Sequence, residues 1–274
     1  MNLQEAIESR HSVRAYRDEP IPAELREQLD AFTRELNRES GLHISIQYDD
    51  PAGFDSRLAH YGSFRNVKNY IVLAGKKDGD FDFRCGYYGE KLVLYATHLG
   101  LGTCWLAGTL NREGFTKAMQ TGENEWMPAI TPVGYPAEKP SFHEQLMRSS
   151  MKSAQRKPWK DLFFREDFHT PLTEADAGVY AEGLELLRLA PSATNSQPWR
   201  VVMDNLAFHF YAVVGKEALA DNPPAIQRVD VGIGACHFHL AAQERELSGI
   251  FARRESRIAG APEGWRYLFS WEMA

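Results

Sequence analysis

One arrangement of residues occurs twice in this chain of 274 residues and limits what it can fold into. From Cys85 to Trp105, a helical run of small and apolar residues reaches a glycine and passes into a short apolar strand. From Asp230 to Phe251 the same plan returns. In the first copy, apolar residues cover much of the helix circumference between Gly86 and Gly100, the pattern of a mostly buried helix. The expected central helices run over residues 86–99 and 231–246. The flanking strands correspond too: Tyr70–Ala74 with Leu206–Val213, and Ile130–Tyr135 with Tyr267–Trp271. Three matches in one order point to a duplicated unit. The expected division is a first half at residues 1–140, a charged connector with a basic arm at 141–170, and a second half at 171–274.

Two segments break the symmetry. Arg10–Tyr16 alternates apolar and polar residues and reads as extended, with Arg10, Ser12 and Arg14 on one side and His11 and Val13 on the other. Two guanidinium forks flanking a hydroxyl suit a phosphate, since arginine binds oxygens in pairs and serine adds a neutral hydrogen bond. A solvated edge strand is the plain alternative. Ala190–Val202 lies between a helical run and a strand, and Pro191 and Pro198 punctuate it. Asn195 and Gln197 need partners for both donors and acceptor, and Trp199 needs a flat apolar surface. A planar ligand edged with carbonyls and ring nitrogens meets those needs; so does a structural loop. Neither segment has a counterpart in the other half, so each half keeps a different part of one site.

The remaining features narrow the class. Hydrophobic residues at 43% and charged residues at 25% are ordinary for a globular protein, and a net charge of −6 argues against nucleic acid as the default partner. The start of the chain lacks the pattern of a signal peptide, and no apolar run is long enough for a membrane span, so a cytoplasmic protein without a membrane partner is expected. Cys85, Cys104 and Cys236 lack CxxC spacing and read as reduced thiols. His237 and His239 diverge by about 200° around a helix, which disfavours a shared metal ion. No dinucleotide-binding glycine fingerprint, Walker A sequence or nucleophile elbow occurs.

Taken together, Arg10–Arg14 and Pro191–Trp199 resemble the two signature segments of the FMN-dependent nitroreductases. Gly86 through Ala96 to Leu99–Trp105 resembles that family's central helix and following loop, and Ile130–Pro140 its C-terminal strand. The similar segments touch most of the chain, and Asn195–Trp199 is the most specific. The order departs from the ordinary pattern, because the gap between the two signatures exceeds a whole half. The usual enzyme is a homodimer with two FMN sites at its interface. This chain is similar to the fused, monomeric members, which implies an internal pseudo-dimer with one FMN site between the halves.

The resemblance implies an α+β, nitroreductase-like fold of two related halves, with mainly antiparallel mixed sheets covered by helices. It implies that Arg10, Ser12 and Arg14 hold the FMN phosphate and ribityl region and that His11 approaches through its backbone. Pro191, Ser192 and Asn195 would reach the isoalloxazine and ribityl chain. The backbone of Ala107 and Gly108 would lie near flavin N5, and Arg156 would close on the phosphate. Gln197 is kept as a cofactor-binding candidate but ranks with Trp199 as a brace of the loop. The implied activity is an oxidoreductase that passes hydride from NADH or NADPH through the flavin to nitro, quinone or similar electron-poor small molecules in a ping-pong cycle. No side-chain acid or base is required. A non-catalytic flavin-binding protein for storage or sensing is the first alternative, and an apo interaction protein of the same fold is the second.

Overall fold

The computed structural model describes residues 2–51, 64–107, 125–138, 149, 155–214, 225–253 and 258–274. They belong to two compact units, Met1–Ala154 and Gln155–Ala274. In the first, helix α1 (Leu3–Ser9) opens with a capping box in which Asn2 and Glu5 satisfy each other's backbone N–H groups. Helix α2 (Ala23–Ser40) buries one face through Leu29, Thr33, Leu36 and Ser40. Strands β1 (His43–Gln47), β2 (Tyr70–Lys76), β3 (Gly102–Thr103) and β4 (Glu125–Gly134) form an antiparallel sheet in the order β1-β2-β4-β3. Helix α3 (Phe81–His98) begins before the expected Gly86, since Phe81 and Cys85 already lie on its buried face. Leu29, Leu73, Phe81, Leu92 and Ala129 are among the fully buried residues of this core.

The second unit contains β5 (Phe163–Arg165), the short helix α4 (Glu174–Ala177), α5 (Ala181–Leu189), β6 (Trp199–Met203), β7 (Ala207–Val213), α6 (Ala225–Glu244), β8 (Gly249–Ala252) and β9 (Trp265–Met273). Its sheet order is β5-β6-β7-β9-β8, parallel between β5 and β6 and antiparallel elsewhere. The order β1-β2-β4-β3 thus recurs as β6-β7-β9-β8, and α3 and α6 occupy the same place in the chain order. Both sheets and their helices have the α+β character that the resemblance implied.

Among the described residues β5 has no counterpart in the first sheet, and it comes from residues expected to be connector. Charge dominates that stretch, but Leu162 and Phe163 are fully buried and β5 extends the second sheet beside β6. A compact apolar triplet was enough to form an edge strand despite its charged flanks. Among the described residues, no helix is long and apolar enough to cross a membrane.

Candidate functional site

Each unit carries one of the two signature segments. In the first unit, Arg10–Tyr16 is extended but is held by isolated bridges rather than a continuous ladder. Ser12 pairs with Thr103, Ala15 with Arg65 and Tyr16 with Pro136. Val13 N–H donates to the Thr103 carbonyl at 2.9 Å, and Arg65 N–H donates to the Arg14 carbonyl at 2.9 Å. The approach to β3 requires Gly102, where an added Cβ would lie 2.6 Å from Val13 Cγ2. The segment is therefore fixed along the strand that leads to Trp105 and Ala107. Gly108 lies outside the described residues.

The alternation holds from Ser12 to Ala15 and ends at Tyr16, which is buried beside Ala15. Val13 and Ala15 are buried, whereas Arg10, Ser12 and Arg14 are half-buried. His11 departs from it: the residue is exposed, and its Nδ1 lies 3.0 Å from the Ser9 carbonyl. The turn out of α1 sets this orientation, so the strand-like register starts one residue late. Among the described residues, the Ser12 hydroxyl and the Arg14 guanidinium have no protein partner. The Arg10 side chain is only 7% exposed, and its buried Nε has no hydrogen bond. Its anionic neighbour is Glu90 Oε1 on α3, at 3.8 Å, and the Glu90 side chain is 0% exposed. Glu90 Oε2 also accepts a 2.7 Å hydrogen bond from Trp105 Nε1. Two cationic side chains and a free hydroxyl in one fixed segment are chemically suited to an anionic phosphate.

In the second unit, Pro191, Ser192, Asn195 and Gln197 come together with the arm at 155–157. Thr194, Asn195 and Gln197 all have positive φ, at 52°, 57° and 47°. Left-handed backbone at three non-glycine residues is costly, and its concentration here requires the surroundings to fix it. The side chains supply the restraint. Gln197 Oε1 accepts from Lys157 N–H at 2.7 Å, Gln197 N–H donates to Ser192 Oγ at 2.9 Å, and Asn195 Nδ2 donates to the Gln155 carbonyl at 3.0 Å. Arg156 donates to the Leu189 carbonyl at 3.0 Å and to Asn195 Oδ1 at 3.5 Å. It thus caps the C-terminus of α5 as well as touching the loop. Lys157 Nζ donates to the Ser196 carbonyl at 2.7 Å, and burial and then the nearby Arg200 lower its pKa.

Trp199 differs from the ligand-facing possibility raised by its ring. It is 0% exposed and lies beneath α6, where a Cβ on Gly234 would come within 3.6 Å of its Cε3. Its aromatic surface is used in packing. Gln197 likewise directs its amide into the loop and arm, not outward.

Sequence reasoning missed two acidic residues that hold these segments. Glu90 was embedded in an apolar run, and only its separation from Arg10 in space gives it meaning. Asp230, buried on α6, accepts from Ala193 N–H at 3.1 and 3.2 Å through its two oxygens. Burial pushes its carboxyl up to about 7 from the ordinary 3.8, while the Ala193 N–H pulls in the opposite direction.

This shift has a defined consequence for stability. The folded carboxyl retains a proton that the unfolded chain has lost between pH 3.8 and about 7. Its contribution is fully present below 3.8, falls as pH rises through that window, and stays lost above it. Asp230→Asn keeps an oxygen acceptor for Ala193 and removes the titration. Thermal melts from pH 4 to 8 should therefore decline less steeply in the variant than in the unsubstituted protein. Parallel pH profiles would remove Asp230 as the source.

The solved structure that matches over the whole chain shares this architecture. A family model described as "Putative TM nitroreductase" matches residues 2–242. A crystal structure described as a "putative nitroreductase" from Thermotoga maritima MSB8 is 22% identical, covering 100% of this chain and 94% of that one, with a TM-score of 0.62. A "Putative NADH dehydrogenase/NAD(P)H nitroreductase" from Bacteroides thetaiotaomicron VPI-5482 is 23% identical, covering 51% of this chain and 90% of its own, with a TM-score of 0.43. An "FMN-dependent Nitroreductase" from Clostridium difficile R20291 is 18% identical, covering 52% and 92%, with a TM-score of 0.42. No curated protein matches the chain. The fold shared over the whole chain and the family match from residue 2 to residue 242 lead to one assignment: this chain belongs to that nitroreductase family.

Proposed function

We propose that this oxidoreductase-family chain binds one FMN and uses NADH or NADPH to reduce nitro compounds, quinones or similar electron-poor small molecules. The observation that carries the reading is the Arg10–Arg14 segment, where, among the described residues, the Ser12 hydroxyl and the Arg14 guanidinium have no protein partner and the buried Arg10 Nε, 3.8 Å from Glu90, makes no hydrogen bond. These donors fit a phosphate. In this reading Arg10, Ser12 and Arg14 bind it, His11 contributes backbone, and Arg156 supplies positive charge near it. Ser192 and Asn195, with Pro191 beside them, orient the ribityl and ring region, while Gln197 holds the loop to its arm. The Ala107–Gly108 backbone serves as the hydrogen-bonding partner of the ring edge.

When bound, FMN supplies a hydride acceptor at N5 and then a donor to the second substrate. The chain's contribution is orientation, exclusion of water and fixed dipoles, without a side-chain acid or base. We propose that the two units act as an internal pseudo-dimer in a cytoplasmic monomer. Steady-state rates at varied NADH and nitro-acceptor concentrations should give parallel double-reciprocal lines, the signature of a ping-pong cycle. Flavin that binds but is not reduced by either nicotinamide would replace this reading with a non-catalytic flavin-binding protein.

Arg14→Ala provides a test of the phosphate assignment. Loss of a charge-assisted hydrogen bond is worth about 1.5–3 kcal/mol, or roughly 10–100-fold in affinity. FMN binding should weaken by that factor, measured by fluorescence titration of the apo-protein, with little change in riboflavin affinity. Equal losses for both ligands would contradict a contact with phosphate.

A further inference from the structure

Glu90 connects two parts of the first unit that the proposed function treats as separate. Its Oε1 faces Arg10 Nε at 3.8 Å, and its Oε2 accepts from Trp105 Nε1 at 2.7 Å. Arg10 belongs to the candidate phosphate segment. Trp105 precedes Ala107 by two residues, in the loop assigned to the flavin ring edge. One fully buried carboxylate therefore contacts the anchors of both.

The local sequence makes this connection possible. Gly89 precedes Glu90 on α3, and a Cβ there would meet Trp105 Cη2 at 2.6 Å. The absent side chain allows the indole to close over the helix, bringing its N–H to the carboxylate. Gly102 similarly lets the Arg10–Arg14 segment lie close to β3, with Val13 bonded to Thr103. Two close backbone approaches thus converge on one acidic residue.

We propose that Glu90 is a positioning residue that couples the phosphate-binding arginine to the loop at the flavin ring. The proposal rests on the FMN reading above. Glu90 holds Arg10 from its Nε side and restrains Trp105 with a charge-assisted hydrogen bond, without itself touching the cofactor. A neutral amide at this position retains an acceptor for Trp105 but removes the charge that keeps the arginine folded against α3. The freed guanidinium then has to be ordered again when phosphate binds. Positioning predicts weaker phosphate recognition in Glu90→Gln. A carboxylate that merely damped the positive field would give the opposite sign, since its removal would strengthen attraction for phosphate.

The test compares FMN with riboflavin, which lacks the phosphate, using fluorescence titration of the full-length apo-protein. In Glu90→Gln the preference for FMN over riboflavin should fall about tenfold, as expected when one charged contact loses its geometry. Trp105→Phe removes only the indole donor. It should leave that preference nearly unchanged but shift the visible band of either bound flavin, because it loosens the loop leading to Ala107. A wild-type preference in Glu90→Gln, or an increased one, overturns the coupling. If Glu90→Gln fails to fold by circular dichroism, the Trp105→Phe spectrum decides: a shifted band supports the proposal and an unchanged band overturns it. An unsubstituted chain that binds neither flavin removes the FMN reading itself, and with it the role of Glu90. Weakened FMN binding with an intact FMN-to-riboflavin ratio assigns Glu90 to the general fold and also overturns the proposal.

Discussion

Glu90→Ala should lower the melting temperature by roughly 6–12 °C, from a loss of about 3 kcal/mol spread over a chain of this size. The effect comes from what remains after truncation. Arg10 is left in a site where only 7% of its side chain is exposed, and the Trp105 N–H loses its 2.7 Å acceptor. A buried charge without its counter-charge typically costs about 3–5 kcal/mol, and the 3.8 Å separation places this pair near the lower end. Replacing both partners should be less damaging than removing the acid alone. A double variant, Arg10→Met with Glu90→Leu, should therefore melt above Glu90→Ala. A double variant that melts below the single one would show that the pair is not the origin of the loss.

Trp199→Ala should destabilise the second unit by about 3–5 kcal/mol, through loss of buried apolar surface and the resulting cavity. Trp199 is 0% exposed, opens β6 opposite Ala212, and packs beneath α6. Its Nε1 has no hydrogen-bond partner, so truncation removes packing without breaking a polar contact. Trp199→Phe should recover much of the stability. Because β6 starts where the 191–197 loop ends, the alanine variant should also increase hydrogen exchange in that loop. A melting temperature within about 2 °C of the unsubstituted protein would contradict the core assignment.

The repeated helix–glycine–strand plan was legible because its periodicity is local, and it reappears in the matching orders β1-β2-β4-β3 and β6-β7-β9-β8. Element ends were less legible. Phe81–Cys85 joined α3 through burial by distant residues, and Phe163 formed an edge strand inside a charged stretch.

The candidate segments were visible from residue type, whereas their supports were not. Nothing in Gly86–Gly100 marks Glu90 as Arg10's neighbour, since 80 positions of chain separate them. Asp230 similarly meets Ala193 only after α6 has packed beside the loop. Asn195 and Gln197 did announce a need for partners, but the arm at 155–157 meets much of it. Trp199 announced an aromatic surface, and the core took it.

The most direct test of the single-cofactor reading is flavin content per chain in the purified full-length protein, combined with its visible spectrum before and after anaerobic NADH or NADPH. About one FMN per chain and bleaching of its visible band are expected, as one set of phosphate-binding arginines can serve one cofactor. Two FMN per chain would contradict the single site, and a protein that stays colourless after reconstitution with FMN would contradict the cofactor assignment.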